Sequence, residues 1–412
     1  MTDVAAAVDQ ERLWQRHMAM AEIGKFGETG VDRPALSQGD REARTLITSL
    51  ALARGYTVHV DAIANLFIRR EGSEPALPVL MSGSHMDSQP RGGRFDGIFG
   101  VLAGLETLEA MDDAGIATRH SIEVVAWTNE EGGRFQPGVM GSEVFVGNKT
   151  VADYENVRDS EGMRLGDELA RTLEALPEAH LRAEAPEIAA YIEAHIEQGP
   201  VLEAAGEQVG IVTGIQGMQW YEVMVDGETA HAGTTPLAGR KDALRAAVAL
   251  IQELQAITAD PDDIVRMTVG KLLVEPNSPN SVPERVIFMI DLRHPSADYL
   301  AEKKAAIHDW ASRRQGGCAI KVRQLFDNAP CVFDETIVGR LEASARQLGI
   351  GHRRMPSGAS HDAHHLARIC PTGMLFVPCA GGISHNEAEA ATPEDLAAGT
   401  RVLAATLAAM AQ

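Results

Sequence analysis

The stretch PVLMSGSHMDSQPRGGRFDGIFG, residues 78–100, decides the fold. An apolar run ends on His85, glycines crowd the positions that follow, and Asp96 stands eleven residues beyond the histidine, just ahead of a second apolar segment. A short apolar run closed by a glycine loop reads as a buried strand, and GVLAGLETLEAMDDAG after it reads as a helix. Around this pair, EARTLITSLALARGY predicts a helix ended by Gly55, TVHVDAIANLFIRR predicts paired strands, and SIEVVAWTNEE a strand whose end carries Asn129, Glu130 and Glu131. Such alternation belongs to a parallel α/β sheet. Both polar clusters fall just beyond strand ends, where open α/β sheets place ligands.

With 412 residues, the chain exceeds what one hydrophobic core usually organises. The rhythm changes near residue 213: WYEVMVDGETAH is a strand, RKDALRAAVALIQELQAI a helix, VRMTVGKLLVE and RVIFMIDLRH strands, ADYLAEKKAAIHDWASRR a helix and AIKVRQLF a strand. That order, βαββαβ, is a ferredoxin-like unit. From residue 330 the chain returns to helix, strand (TGMLFVP) and a glycine loop, so 213–329 reads as a domain inserted between 1–212 and 330–412.

The formal charge of −21 argues against nucleic acid or an anionic membrane as partner, since no Lys/Arg-rich run interrupts the acidic surface. No basic segment followed by an apolar stretch opens the sequence and no window nears eighteen apolar residues, so a cytoplasmic protein is expected. Cys318, Cys331, Cys370 and Cys379 form no CxxC pair and read as reduced, mostly buried thiols.

His85 and Asp96 can bring imidazole and carboxylate to one ion, although Asp96 also suits a helix cap. Glu130 and Glu131, adjacent carboxylates at the end of an apolar strand, repel each other and lose solvation, which calls for a cation or a shared proton. His195 in YIEAHIEQGPVLE and His385 in GGISHNEAE stand again beside carboxylate or glycine. Each alone is weak, because a lone histidine is more often structural. Together His85, Asp96, Glu131, His195 and His385 offer five N/O ligands, a set suited to two divalent cations sharing a bridging carboxylate.

The segments GSHMDSQPRGGRFDG, TNEEGGRF, AHIEQGPVLE, AHAGTTP, PNSVP, DLRHPS and SGASHDA with GGISHNEAE resemble the amidase branch of the dinuclear zinc peptidase family: N-carbamoyl-L-amino-acid hydrolases, β-ureidopropionases and allantoate amidohydrolases. The likeness runs from about residue 20 to the C-terminus in the family's order. It implies a zinc-exopeptidase-like catalytic domain with a mixed sheet, carrying the inserted ferredoxin-like unit as a lid and dimerisation domain, in a homodimer. By this resemblance His85, Asp96 and His195 hold one metal and Asp96, Glu131 and His385 the other, the ions being zinc, manganese, cobalt or nickel. Asp87 orients the His85 imidazole through its other nitrogen. Glu130 is the base that takes a proton from water and returns it to the departing nitrogen.

By the same resemblance His231 reaches the site from the partner subunit and stabilises the oxyanion, while Asn280 and Arg293 hold the substrate carboxylate, a task that suits arginine's fork. The resemblance also implies that Gln198 touches substrate and that backbone near Gly358 and Ala359 lines the pocket. Ser360 departs from the family's usual SGAGHDA, and the histidines of HDAHH receive no metal role. The implied reaction is hydrolysis of an N-carbamoyl-L-amino acid or N-carbamoyl-β-alanine to amino acid, carbon dioxide and ammonia. Allantoate or another ureide is the alternative, and a dipeptide is disfavoured. If sites are shared across a dimer, mixing inactive His231→Ala with inactive Glu130→Gln subunits is expected to restore partial activity, and verified heterodimers without recovery would refute trans supply.

Overall fold

The computed structural model describes residues 2–261, 264–312 and 315–412. It divides into two compact units, Met1–Gly214 with Phe333–Gln412, and Ile215–Val332.

The first unit begins with helix α1 (Gln10–Ala21), capped by the Asp9 carboxylate, and α2 (Gln38–Ala53), capped by Ser37. Strands β1 (Thr57–Val60), β2 (Leu66–Arg70) and β3 (Val79–His85) follow, then helix α3 (Ile98–Asp113), β4 (Ile122–Trp127), β5 (Ile188–Ile196) and β6 (Val209–Ile215). The second unit runs β7 (Gly217–Asp226), α4 (Ala243–Ile257), β8 (Arg266–Glu275), β9 (Arg285–His294), α5 (Ala297–Ser312) and β10 (Ala319–Asn328). Arg313 and Arg314, which the sequence adds to that last helix, lie outside the described residues. The chain then returns to the first unit with α6 (Glu335–Leu348), β11 (His352–Ser357), β12 (Thr372–Val377) and α7 (Pro393–Met410).

In the first unit the strands lie in the order β6–β12–β5–β3–β4–β2–β1, with β11 pairing β6. β12, β5, β3 and β4 are parallel, as the alternation predicts, whereas β6 and β2 join them antiparallel and make the sheet mixed. Every residue of β3 and β4 is buried, which is why they read as continuous apolar runs. Helix α3 is buried on all sides from Ile98 to Met111. It lies close enough to the sheet that a Cβ on Gly100 would stand 2.3 Å from the Ala194 carbonyl oxygen. Two acids on α3, Glu106 and Glu109, are fully buried and take Arg12 and Arg16 of α1 as partners, each at 2.7 Å.

The second unit has strand order β8–β9–β7–β10, all antiparallel. Strict alternation along β9 sends Val286, Phe288, Ile290 and Leu292 into one core with Tyr221, Val223 and Val225 of β7 and with Ala247, Leu250, Leu300 and Ile307 of the helices. No helix among the described residues is long and apolar enough to cross a membrane.

His17 on α1 is fully buried against Phe95 and Phe99, and neither ring nitrogen has a hydrogen-bond partner. Burial, with the nearby Arg94 charge adding to it, pushes this imidazole down to about 3. An unfolded histidine titrates near 6.5, so between that pH and about 3 the unfolded chain binds a proton that the folded chain refuses. Stability is therefore lost as pH falls through this window. His17→Phe should flatten that loss between pH 6.5 and 4, measured as the denaturant midpoint at each pH, and an unchanged slope would contradict it.

Candidate metal centre

His85 is the last residue of β3 and His195 the last but one of β5. Glu130 and Glu131 follow β4, whose Trp127 lies level with His85 in the parallel register. His385 comes from the glycine loop after β12, at a left-handed φ of 54°. Asp96 closes the loop that opens α3. The carboxyl ends of the parallel strands thus carry all five expected ligands to one place. Their ligand atoms form two groups, His85, Asp96 and His195, and Asp96, Glu131 and His385, with the atoms of each group within 4.8 Å of one another.

Asp96 stands in both groups and divides its oxygens between them. Its Oδ1 is 3.1 Å from His195 Nε2 and 3.6 Å from His85 Nε2, while Oδ2 is 3.4 Å from His385 Nε2. His85 Nδ1 lies 2.9 Å from the Asp87 carbonyl oxygen, and His195 Nδ1 lies 2.9 Å from that of Ile196. A carbonyl only accepts, so each Nδ1 carries a proton and Nε2 is the nitrogen that faces Asp96. Gly97, with φ of 66°, permits the turn: a Cβ there would lie 2.2 Å from His85 Cε1.

Asp87 meets the His85 ring at Nδ1 through its main chain. Its backbone carbonyl orients His85; its Oδ1 is 3.8 Å from that ring. The tight strand-end turn directs the carbonyl at the imidazole, leaving the carboxylate to accept the backbone N–H groups of Glu130 and Glu131, both at 3.3 Å. Arg33, itself buried, fixes the turn by donating to the Met86 carbonyl at 2.9 Å. Glu131 is clamped by Gln89, whose Nε2 donates to Oε2 at 2.8 Å and whose backbone N–H donates to Oε1 at 3.2 Å.

The electrostatics are one-sided. Asp87, Asp96, Glu130 and Glu131 have little or no solvent contact, and among the described residues their ion pairs are all with histidine. Burial and the Asp96 charge push Glu131 up to about 8; burial and the Asp40 charge push Asp87 up to about 7. Glu130, 3.5 Å from His85 Nε2, is raised by burial and by Asp362, Glu131, Asp87 and Asp96 around it. Burial lowers His195, but the hydrogen bond to Asp96 and the charges of Asp96 and Glu193 together exceed it and lift the ring to about 9; the bond to Asp96 lifts His385 to about 9 as well. Each leftover carboxylate calls for a positive charge at the atoms facing the centre. A mixed imidazole and carboxylate set is one that divalent transition metals accept.

Gln198, at a left-handed φ of 57°, donates from Nε2 to Asp96 Oδ2 at 2.9 Å and to Ser384 Oγ at 3.2 Å. Gly358 and Ala359 follow β11 in a loop held by Ser357 Oγ, which accepts the Ala359 N–H at 3.1 Å and meets His361 Nε2 at 2.9 Å. His361 packs edge-on against His195, ring centres 4.6 Å apart, and His361, His364 and His365 are all buried rather than exposed.

The other three expected residues belong to the second unit. His231 Nδ1 accepts the backbone N–H groups of Gly233 and Thr234, at 3.0 and 3.2 Å, so its proton sits on Nε2 and that edge is a donor. Its register partner Ser281 follows Asn280, whose Oδ1 accepts Ser278 Oγ–H at 2.8 Å. Arg293 on β9 pairs with Asp291 at 2.9 Å.

Sequence reasoning passed over the residues that support these groups. Glu193 is fully buried, accepting Ser84 Oγ–H at 2.7 Å and the Ala363 N–H at 2.9 Å. Glu389 accepts the N–H groups of Phe95 and Asp96. The signals were present: Gln89 inside the opening stretch, and a second acid four residues after His385.

A family model described as Peptidase family M20/M25/M40 matches residues 81–409. The N-carbamoyl-L-amino-acid amidohydrolase of Rhizobium meliloti is 41% identical over 401 residues, covering 96% of this chain and 95% of its own length. The ureidoglycolate hydrolase of Oryza sativa subsp. japonica is 32% identical, covering 97% of this chain and 84% of its own. Among solved structures, an amidase of the hydantoinase/carbamoylase family from Burkholderia multivorans superposes with a TM-score of 0.92 at 43% identity, 98% of each chain being covered.

Asp96→Ala is expected to remove most bound divalent metal together with turnover, whereas Glu130→Gln should keep metal and lose rate by at least about a hundredfold. Elemental analysis of the two purified variants checks this, and equal metal loss in both would overturn the division of roles.

Proposed function

Because the chain belongs to the peptidase family M20/M25/M40, we propose that it hydrolyses the ureido C–N bond of an N-carbamoyl-L-amino acid, releasing the amino acid, carbon dioxide and ammonia. It is an enzyme, a hydrolase of carbon–nitrogen bonds other than peptide bonds. The observation that carries the reading is Asp96, one carboxylate with each oxygen turned to a different group of metal-ligating atoms.

His85, Asp96 and His195 would hold one divalent cation and Asp96, Glu131 and His385 a second. Such ions supply Lewis-acid polarisation of a carbonyl and acidify water. Glu130, flanked by this centre and raised by its surroundings, takes the proton of the attacking water and delivers it to the departing nitrogen. The N–H edge of His231, supplied by the partner subunit of a homodimer, donates to the oxyanion. Arg293 and Asn280 bind the substrate carboxylate, Arg293 exchanging Asp291 for it, and Gln198 with the Gly358–Ala359 backbone positions the ureido group. In this reading Ile215–Val332, with its βαββαβ order and 2-3-1-4 strand sequence, is a ferredoxin-like lid and dimerisation domain. A reducing, cytoplasmic setting fits buried thiols at Cys318, Cys370 and Cys379 that no disulfide joins.

A second reading, hydrolysis of a ureide such as allantoate, is favoured by the likeness to ureidoglycolate hydrolase. The amidohydrolase from Rhizobium meliloti is more similar to this chain, and the carbamoyl substrate therefore comes first. Ammonia release is to be measured across N-carbamoyl-L-amino acids, N-carbamoyl-β-alanine, allantoate and dipeptides. N-carbamoyl-L-amino acids should give the fastest release, abolished by a chelator and restored by zinc, manganese, cobalt or nickel. Full-speed turnover by metal-free protein in chelator would end the proposal.

A further inference from the structure

Beyond the five ligand residues, the centre contains buried carboxylates with no part in the reaction as proposed, and one of them, Glu389, bonds directly to the backbone of a ligand residue. Glu389 has 1% of its surface exposed. Its Oε1 accepts the backbone N–H of Phe95 at 2.8 Å and of Asp96 at 3.0 Å. Its Oε2 accepts the Ser384 hydroxyl at 3.2 Å, and the same Ser384 Oγ lies 3.0 Å from Asp96 Oδ2. The carboxylate fills the space where Gly93 lacks a side chain: a Cβ there would lie 2.1 Å from it. It therefore bonds the loop that carries Asp96 on one side and the loop that carries His385 on the other.

We propose that Glu389 is the positioning residue of the dinuclear centre, holding Asp96 so that Oδ2 faces His385 and Glu131 while Oδ1 faces the two strand-end histidines. The inference rests on the reading that these groups hold two cations. His85 and His195 are buried at the ends of β3 and β5, each with its Nδ1 bonded to a backbone carbonyl, so the first group is set by the sheet. The second group is set by side chains instead. His385 sits in a loop with 48% of its side chain exposed, Gln89 clamps Glu131, and Asp96 Oδ2 is met by Gln198 Nε2 at 2.9 Å and by Ser384 Oγ at 3.0 Å, with Glu389 holding Ser384 and the loop amides in turn. Loss of Glu389 thus falls on the second ion. Outer partners of metal ligands typically govern affinity by about ten- to a hundredfold.

The test is a titration of the metal-stripped full-length protein with Mn²⁺, reading the unbound ion by its EPR signal, on wild type, Glu389→Ala, Glu389→Gln and Ser384→Ala. Wild type should bind two ions. Glu389→Ala should keep the first affinity and weaken the second by about ten- to a hundredfold, with an unchanged melting midpoint in the metal-free state. Glu389→Gln, whose carbonyl oxygen accepts the same two N–H groups, should bind both ions nearly as wild type does. Ser384→Ala should weaken the second ion by a smaller factor, and it decides the matter if Glu389→Ala does not fold. Two ions at wild-type affinity in Glu389→Ala, or in Ser384→Ala should that variant alone be available, overturn the inference. So does an equal loss of both ions accompanied by a lowered metal-free midpoint, which would mark Glu389 as merely structural. Wild type binding fewer than two ions would instead sink the dinuclear reading itself.

Discussion

Carboxylates withdrawn from water whose ion-pair partners, among the described residues, are imidazoles alone are the constraint on which this molecule turns. Asp87, Asp96, Glu130 and Glu131 converge within one centre, and no lysine or arginine forms an ion pair with them among the described residues. Taking an ion into a protein interior costs on the order of several kcal/mol even after relaxation. Structural acids in the same unit are treated otherwise: Glu106 and Glu109 on α3, equally buried, each have an arginine at 2.7 Å. The acids of α3 are neutralised by guanidinium groups, whereas the charges of the centre are not. That difference separates a site from a scaffold.

The scaffold explains how such a costly cluster is kept in register. Parallel strands β3, β4 and β5 deliver their last residues to one edge, and backbone groups then settle each side chain. Carbonyls of Asp87 and Ile196 hold the two imidazoles in one tautomer, amides of Glu130 and Glu131 rest on Asp87, and those of Phe95 and Asp96 rest on Glu389. Main-chain partners do not swing between rotamers. A geometry built on them needs little help from side-chain packing.

The sheet and the set of candidate ligands that it gathers were legible because both leave periodic or local marks. Buried parallel strands read as unbroken apolar runs, and His85, Asp96, Glu131, His195 and His385 each fall next to glycine or a second carboxylate just past such a run. The direction of the flanking strands was not legible, since antiparallel pairing of β6 and β2 depends on which neighbour they find. Residues 132–187 were left unassigned, yet they hold the helices Met140–Phe145 and Leu165–Glu174. Those are short, and the first starts from a left-handed Val139 without a side-chain cap, so the usual start signals are missing. Glu193 and Glu389 escaped for a different reason. Their partners are backbone amides and hydroxyls distant in sequence, and nothing in their immediate neighbours announces that role. Which oxygen of Asp87 meets the imidazole was hidden for the same cause, because a residue type says nothing about whether main chain or side chain will do so.

Helix α3 links the centre to the rest of the unit. It starts one residue after Gly97, which follows Asp96, and from Ile98 to Met111 no side of it is left to solvent. The aspartate is therefore rooted in the densest part of the interior and not on a pliable rim. Moving that aspartate means moving a helix enclosed on every face.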